Sequence, residues 1–442
     1  MKSSTIAIIV IIIFVIVAAA GIYAFTAMNT PTTTLTSSPE TTTSSSSSIS
    51  TSSTSLPATS SSSSSTGNAS TVNIGIMEDQ TGPIAGFAAE TIAMAKVAVN
   101  QINAQGGILG HPLKLFTADE SSGAVTAAQS LILQDKVVAI VGVSYTGDVL
   151  AIMPFLSQHQ VIGIFTTATG NTLMSNVSTD YSAYKYFFRL TLQDSTYGKS
   201  LGDFFANVTK PSSIYFVAED LSFAHEAFSS INQTASQMGI KVVGATFVPT
   251  SQTDFSTLVA QIGSVGPAMV IDAQTGIGGA TFLTALKANP STSKIAFMDI
   301  ANGALSDPAV MASLQKSSPG ALNNTIFQQY PGTATKPYNS LGESLVSAYQ
   351  QATNSTYYAF PSNSFTAIHI LEQSMVNANT VTNVSSIISS IEKIQYQGAA
   401  GLVTFDSNHN WIIPGLWYTQ FQNNALQVIW PSNYSTSTYE AP

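Results

Sequence analysis

The sequence predicts an α/β protein of two lobes, each a mostly parallel sheet wrapped by helices, joined by a hinge and preceded by a transmembrane helix and a disordered stalk. Three observations carry that reading. The 442 residues, 44% of them apolar, are too many for one simple core yet ample for two packed α/β units. From Thr71 short β-rich runs alternate with longer helical stretches, and the alternation resumes after Arg189. Ahead of Thr71 the composition is of another kind: an apolar run, then Ser and Thr with scattered Pro.

The first element is the stretch Ile6 to Phe25, IAIIVIIIFVIVAAAGIYAF. It has about the 20 apolar residues needed to cross a hydrocarbon core. The apolar region of a cleaved signal peptide is shorter, roughly 7 to 15 residues, so an uncleaved anchor within 1–28 is favoured, with the Ala18–Gly21 run keeping cleavage open. Lys2 precedes the span and no basic cluster follows it, which places the N-terminus in the cytoplasm and the remainder outside. Residues 29–70 cannot bury enough apolar surface to offset their chain entropy and read as a stalk, bare or O-glycosylated. Asn-X-Ser/Thr sequons at Asn68, Asn176, Asn207, Asn232, Asn323, Asn354, Asn383 and Asn433 agree with an exterior location; in a chain this rich in Asn, Ser and Thr several are chance matches.

The globular part opens with TVNIGIM, a helix over 88–104, LKLFTA, a helix over 123–134, VVAIVG, a helix over 146–158 and VIGIF. Beyond Arg189 come SIYFVAE, KVVGATFV, AMVIDA and KIAFMDI, separated by helical segments, so each half is a Rossmann-like lobe. Three helices follow at 338–352, 362–377 and 383–393, then GLVTF, LWYTQF and LQVIW, read as additions crossing back between lobes. The division expected is 71–190 with 322–395 for lobe 1, and 191–321 with 396–442 for lobe 2. In open α/β sheets ligands sit beyond the carboxyl ends of the strands, so the loops after IGIM, VVAIVG, VIGIF, AMVIDA and KIAFM carry the candidate site.

Several functions are disfavoured. Only 8% of residues are charged, about a third of the usual share, and the net charge of −9 with no basic stripe argues against nucleic acid. Few carboxylates leave few paired acids to lose on acidification, which suits an acidic exterior. Cysteine is absent, which removes thiolate catalysis, disulfides and cysteine-ligated metals. His111, His159, His225, His369 and His409 lack metal-ligand spacing; His225-Glu226 begins a zinc-protease pattern with no second His. GVSYTG lacks the spacing of a nucleophile elbow, so Ser144 reads as a loop hydroxyl. No cofactor, metal or enzymatic activity is expected.

Five segments, IGIMEDQTGPIAG, INAQGGILGHPLKL, VVAIVGVSYTG, FFRLTLQDSTYG and QTDFSTLV, occur in order between residue 72 and about 430. Together they resemble the type I periplasmic binding proteins of the branched-chain amino acid (leucine/isoleucine/valine) and amide/urea ABC transporter group. Locally, Gly106-Gly107 in the second segment reads as a helix C-cap and Gly110 with Pro112 as a turn, because these glycines follow a helix instead of opening one. Thr146 and Gly147 open a helix whose free N–H groups suit a carboxylate or carbonyl; the alternative is that Thr146 is merely an N-cap.

The resemblance implies ligand contact at Thr146, and at Ala168 and Thr169 in the family's second contact loop. Phe87 and Phe223 fall where the family often has Tyr at the rim of the cleft, although each is equally read as core. Thr275 falls near another aromatic position. After KIAFM the family's amino-acid-binding members resemble one another in carrying an acid for the ligand's ammonium, whereas Ala301 or Asn302 stands there in this chain. A buried ammonium without a partner is strongly disfavoured, so either Asp299 takes over or the ligand carries no amino group. Asp220 and Asp272 are further candidates, and any of these acids is equally a cap or a turn residue.

The expected function is therefore an extracellular, membrane-anchored solute-binding protein that closes two lobes over a small polar solute, an amino acid or a short amide or urea-like compound. Its expected partner is an ABC transporter permease in the same membrane. The alternatives are a ligand-sensing ectodomain or a structural surface-layer glycoprotein, the latter needing no cleft.

Overall fold

The computed structural model describes residues 70–442. The expected anchor, stalk and Asn68 sequon lie outside the described residues. Among the described residues no helix is long and apolar enough to cross a membrane.

The first sheet contains β1 (Val72–Glu78), β2 (Leu113–Asp119), β3 (Ala139–Gly142), β4 (Ile162–Phe165) and β5 (Phe187–Arg189) in the order β2-β1-β3-β4-β5, every pair parallel. Ile74 pairs with Leu115 on one side and Ala139 on the other. Strands β3 to β5 are buried throughout, as strands covered by helices on both faces must be, and β3 and β4 accordingly carry the continuous apolar runs that made them readable. Strand β5 went unread because it is three residues long and ends in a charged side chain, Arg189, which the fold buries completely.

Between β1 and β2 the helix Ala85–Ala104 packs against the later helix Ser362–Asn377. Its exit uses glycine as anticipated: Gly106 and Gly107 have φ of 99° and 79°, and a Cβ on Gly107 would lie 2.2 Å from the His111 carbonyl oxygen.

The second sheet contains β6 (Ser213–Glu219), β7 (Lys241–Val248), β8 (Met269–Ala273), β9 (Ala296–Asp299) and β10 (Ile326–Gln329), mutually parallel where they pair. After a short hairpin of β11 (Tyr396–Gly398) and β12 (Gly401–Val403), β13 (Trp417–Gln422) and β14 (Ala425–Trp430) add to the second sheet antiparallel, giving β14-β13-β10-β9-β8-β6-β7.

Two details correct the expected division. Residues 322–395 were assigned to the first lobe, but Ile326–Gln329 pairs with β9 and β13 inside the second sheet. Its sequence, IFQQ, hides the strand because half of it is amide. Gln328 and Gln329 are nevertheless buried, since Gln328 Nε2 donates to the Tyr418 hydroxyl at 2.6 Å and Gln329 Oε1 accepts from Thr419 Oγ1 at 3.2 Å. Conversely, the β11–β12 hairpin, placed with the second lobe by the expected boundary at 396, packs against the helices Ser340–Thr353 and Ser362–Asn377, of which the second covers the first sheet. The three late helices, with Val384–Ile391, lie where the sequence put them.

Candidate functional site

Parallel strands followed by helices leave backbone N–H groups and short loops at their carboxyl ends. Loops from those ends of both sheets enclose a cavity of about 570 Å3. The lining comes from the segments after β1, β2, β3, β4 and β5 on one side and after β6, β7, β8, β9 and β10 on the other, with Phe360 joining them.

Acids at the ends of the first two strands organise one wall. Ser144, in the loop after β3, donates its hydroxyl to Glu78 Oε2 at 2.8 Å, accepts from the Asp79 N–H at 3.0 Å, and gives its own N–H to Glu120 Oε1 at 2.7 Å. Next to it Tyr145 donates to Asp79 Oδ2 at 2.7 Å. One serine thus ties together the ends of three adjacent strands. Burial pushes the Glu78 carboxyl up to about 8, against the lowering effect of the Ser144 hydrogen bond. Burial, and then the neighbouring Glu78, hold Glu120 well above the ordinary carboxylate range. Asp148, in the first turn of the helix Thr146–His159, is raised by burial and by Asp79.

The opposite end is aromatic. Phe87 lies 4.7 Å from Phe360 between ring centroids, and Phe360 stacks on Tyr330 at 4.6 Å, so one continuous wall joins the first helix to the residue following β10. The Tyr330 hydroxyl accepts from the Leu192 N–H at 2.9 Å and hydrogen-bonds Thr191, fixing the ring against the segment after β5.

The loop carrying Thr169 is braced from beneath. Arg189 donates from Nη1 to the carbonyls of Thr169 at 2.7 Å and Gly170 at 2.6 Å, while its Nε donates to Asn410 Oδ1 at 3.0 Å. Burial lowers its pKa to about 10, partly offset by Asp194. Asp194, itself pushed up to about 8 by burial, donates its N–H to the Thr169 carbonyl at 3.2 Å.

Of the residues expected in the site, Thr146, Thr169, Phe87, Phe223, Thr275 and Asn302 line the cavity together. Thr146 is the first residue of its helix, with Tyr145 at the cap, so the N-cap alternative does not hold; its hydroxyl instead accepts from the Gly170 N–H at 3.1 Å. Ala168 does not line the cavity: its N–H is used by the Val143 carbonyl at 3.2 Å, while its neighbours Thr167 and Thr169 face inward.

Asp299 is also outside the lining. It ends β9 fully buried, with Oδ2 accepting from Ser306 Oγ at 2.6 Å and Oδ1 from the Ala301 N–H at 3.3 Å, and burial pushes it up to about 7. Asp272 is likewise buried and bound by Gln274, and Asp220 points outward to His225 at 2.7 Å. Ala301, Asn302 and Gly303 do line the cavity, without a carboxylate among them.

Asp79, Glu120, Tyr145, Tyr197, Tyr330 and Phe360 were not anticipated. Asp79 and Glu120 directly follow β1 and β2, so the strand-end rule applied to every loop would have found them. Tyr330 was hidden with β10, and Phe360 has no local signal.

A family model described as periplasmic binding protein matches residues 71–425. An amino acid binding protein of Pseudomonas aeruginosa is 28% identical over 202 residues, 45% of this chain and 52% of that protein. A Leu/Ile/Val-binding protein homolog of Brucella melitensis is 26% identical over 45% of this chain and 53% of its own length. The chain thus matches about half the length of these curated relatives.

Among solved structures, a branched-chain amino acid transporter substrate-binding protein of Streptococcus pneumoniae, in complex with isoleucine, superposes with a TM-score of 0.70 at 18% identity, over 82% of this chain and 100% of the other. A solute-binding protein of R. palustris in complex with 4-hydroxybenzoate gives 0.70 at 15% identity, over 81% and 95%. Those likenesses show the type I fold, with its mostly parallel sheets. The match of most of the chain to one family model, on a fold whose strand ends enclose a cavity, places the assignment beyond the five segments read from sequence: the chain belongs to the periplasmic binding protein family, whose members bind solutes and do not catalyse reactions.

Proposed function

We propose that this protein is the solute-binding component of an ABC importer and holds a small amino acid or a related compound in the cavity between its two sheets. The observation carrying this reading is the cavity itself: about 570 Å3, walled by loops from the carboxyl ends of both sheets and by an aromatic face, a size and lining suited to a small molecule. The names of the relatives support an amino acid or a related solute, and the benzoate-bound fold neighbour keeps the range wider than amino acids.

Thr146, Thr169 and Asn302 are the proposed polar contacts, with Phe87, Phe223 and Thr275 closing over the solute. In this reading the two sheets belong to lobes that hinge together when the solute is bound, because contacts to both walls exist only in the closed state. A permease in the membrane then reads that state. The anchor, the stalk and glycans on the exterior belong to the same proposal; Asn207, Asn232, Asn323, Asn354, Asn383 and Asn433 are exposed. The structural surface-layer alternative required no cleft and finds no support beside this cavity.

A thermal-unfolding screen of the full chain against amino acids, short amides, urea, amines and small organic acids tests the proposal. At least one solute raises the midpoint saturably, a hundredfold excess over Kd being worth about 2.7 kcal/mol. In Thr146→Ala the same solute binds about five- to tenfold more weakly, as loss of a hydroxyl hydrogen bond requires. A chain indifferent to every solute contradicts the proposal, and undiminished binding by Thr146→Ala removes that residue from the site.

A further inference from the structure

Three carboxyl-bearing residues, Asp79, Glu120 and Asp148, line the cavity, and no Lys, Arg or His is among its lining residues. Two of the carboxyl groups are incompletely bonded. Asp79 has no exposed surface; its Oδ2 accepts from the Tyr145 hydroxyl at 2.7 Å and weakly from the Ile84 N–H at 3.4 Å, while Oδ1 has no partner. Glu120 is 3% exposed; its Oε1 accepts from the Ser144 N–H at 2.7 Å, while Oε2 has no partner. An ionised carboxyl with a buried, unpartnered oxygen is costly, so Glu120 holds a proton until a cation arrives, and two such oxygens on groups lining one cavity favour a partner that brings both positive charge and donors.

Resting on the solute-binding reading above, we infer that the cavity selects a solute whose recognition group is an organic ammonium bearing N–H donors, held by Asp79 and Glu120. A cation is favoured over an anion because the lining supplies carboxyl groups and no compensating positive side chain. The rings of Phe87, Tyr145, Tyr197, Phe223, Tyr330 and Phe360 supply faces that attract a cation and cover an apolar body. An ammonium with N–H groups is favoured over a quaternary one because the two free oxygens need hydrogen-bond donors, which a fully methylated nitrogen lacks. The counter-charge in this chain therefore lies on the wall of the first sheet. The segment Ala301–Gly303 after β9, where the resemblance placed an acid, supplies none.

The test uses matched sets of small solutes with propyl, isobutyl and benzyl bodies, each as the primary amine, the trimethylammonium, the alcohol, the carboxylate and the α-amino acid. Binding to the full chain is measured by calorimetry and thermal unfolding. In any set that binds, the primary amine or the amino acid binds at least about tenfold more tightly than the alcohol, the carboxylate and the trimethylammonium. Asp79→Asn and Glu120→Gln keep the shape and the acceptors used by Tyr145 and Ser144, and each reduces the amine-to-alcohol affinity ratio about tenfold. Structural damage would lower both affinities alike and leave the ratio unchanged, which would overturn the assignment of these two acids. Tighter binding of a carboxylate, an alcohol or a trimethylammonium overturns the inference while leaving the solute-binding reading intact. Silence from every set and from the wider screen overturns both.

Discussion

Glu78 sits fully buried at the end of β1, bonded through one oxygen to Ser144 and with its other oxygen unpartnered. Such a carboxyl is more stable protonated, which is why burial raises its pKa from 4.5 to about 8. Glu90 and Asp299, raised to about 7, and Asp194, raised to about 8, behave alike. Between the ordinary carboxylate range and pH 8 the folded chain holds protons that the unfolded chain has lost, so stability is fullest at acid pH and falls as pH rises through the folded values. Thermal unfolding midpoints should therefore decline from pH 5 to pH 8, and Glu78→Gln should flatten that decline by up to about 1.4 kcal/mol per pH unit. A midpoint that rises toward pH 8 would contradict the assignment. The low number of charges read from composition anticipated an acid-tolerant chain; which acids are buried neutral was not legible, because burial is a property of the fold.

At the scale of elements, legibility followed hydrophobic continuity. Strands such as AIVG and IGIF are apolar end to end and declared themselves, as did helices ended by Gly106-Gly107. Strands β5 and β10 did not, since FFR and IFQQ carry polar side chains that only tertiary partners satisfy. The same partners shape the site: β10 delivers Tyr330, and β5 delivers the guanidinium that supports the Thr169 loop. Removing one side of a buried charged network leaves its partners unpaired, so Arg189→Met should cost about 3 to 5 kcal/mol in urea unfolding. Solute affinity should drop with it, because the carbonyls of Thr169 and Gly170 lose their support. Unchanged stability would show that the carbonyls and Asn410 find other partners.

For the whole molecule, two mostly parallel sheets whose carboxyl ends meet were legible from the repeated strand–helix alternation, and six of the eight expected contact residues line the cavity. Asp299 failed for a reason no single sequence supplies: Ser306, seven residues on, folds back to satisfy it. Asp79 and Glu120 follow strands as several other acids do, and their free acceptors show only once the loops after β1, β2 and β3 fold together. The central claim to test is that the cavity is the place where a solute is held. A crystal structure of the chain with the solute giving the largest stabilisation tests that most directly. The solute should lie within hydrogen-bond distance of Thr146 and between walls contributed by both sheets, its nitrogen against Asp79 or Glu120. A saturably bound solute found elsewhere on the surface would contradict it.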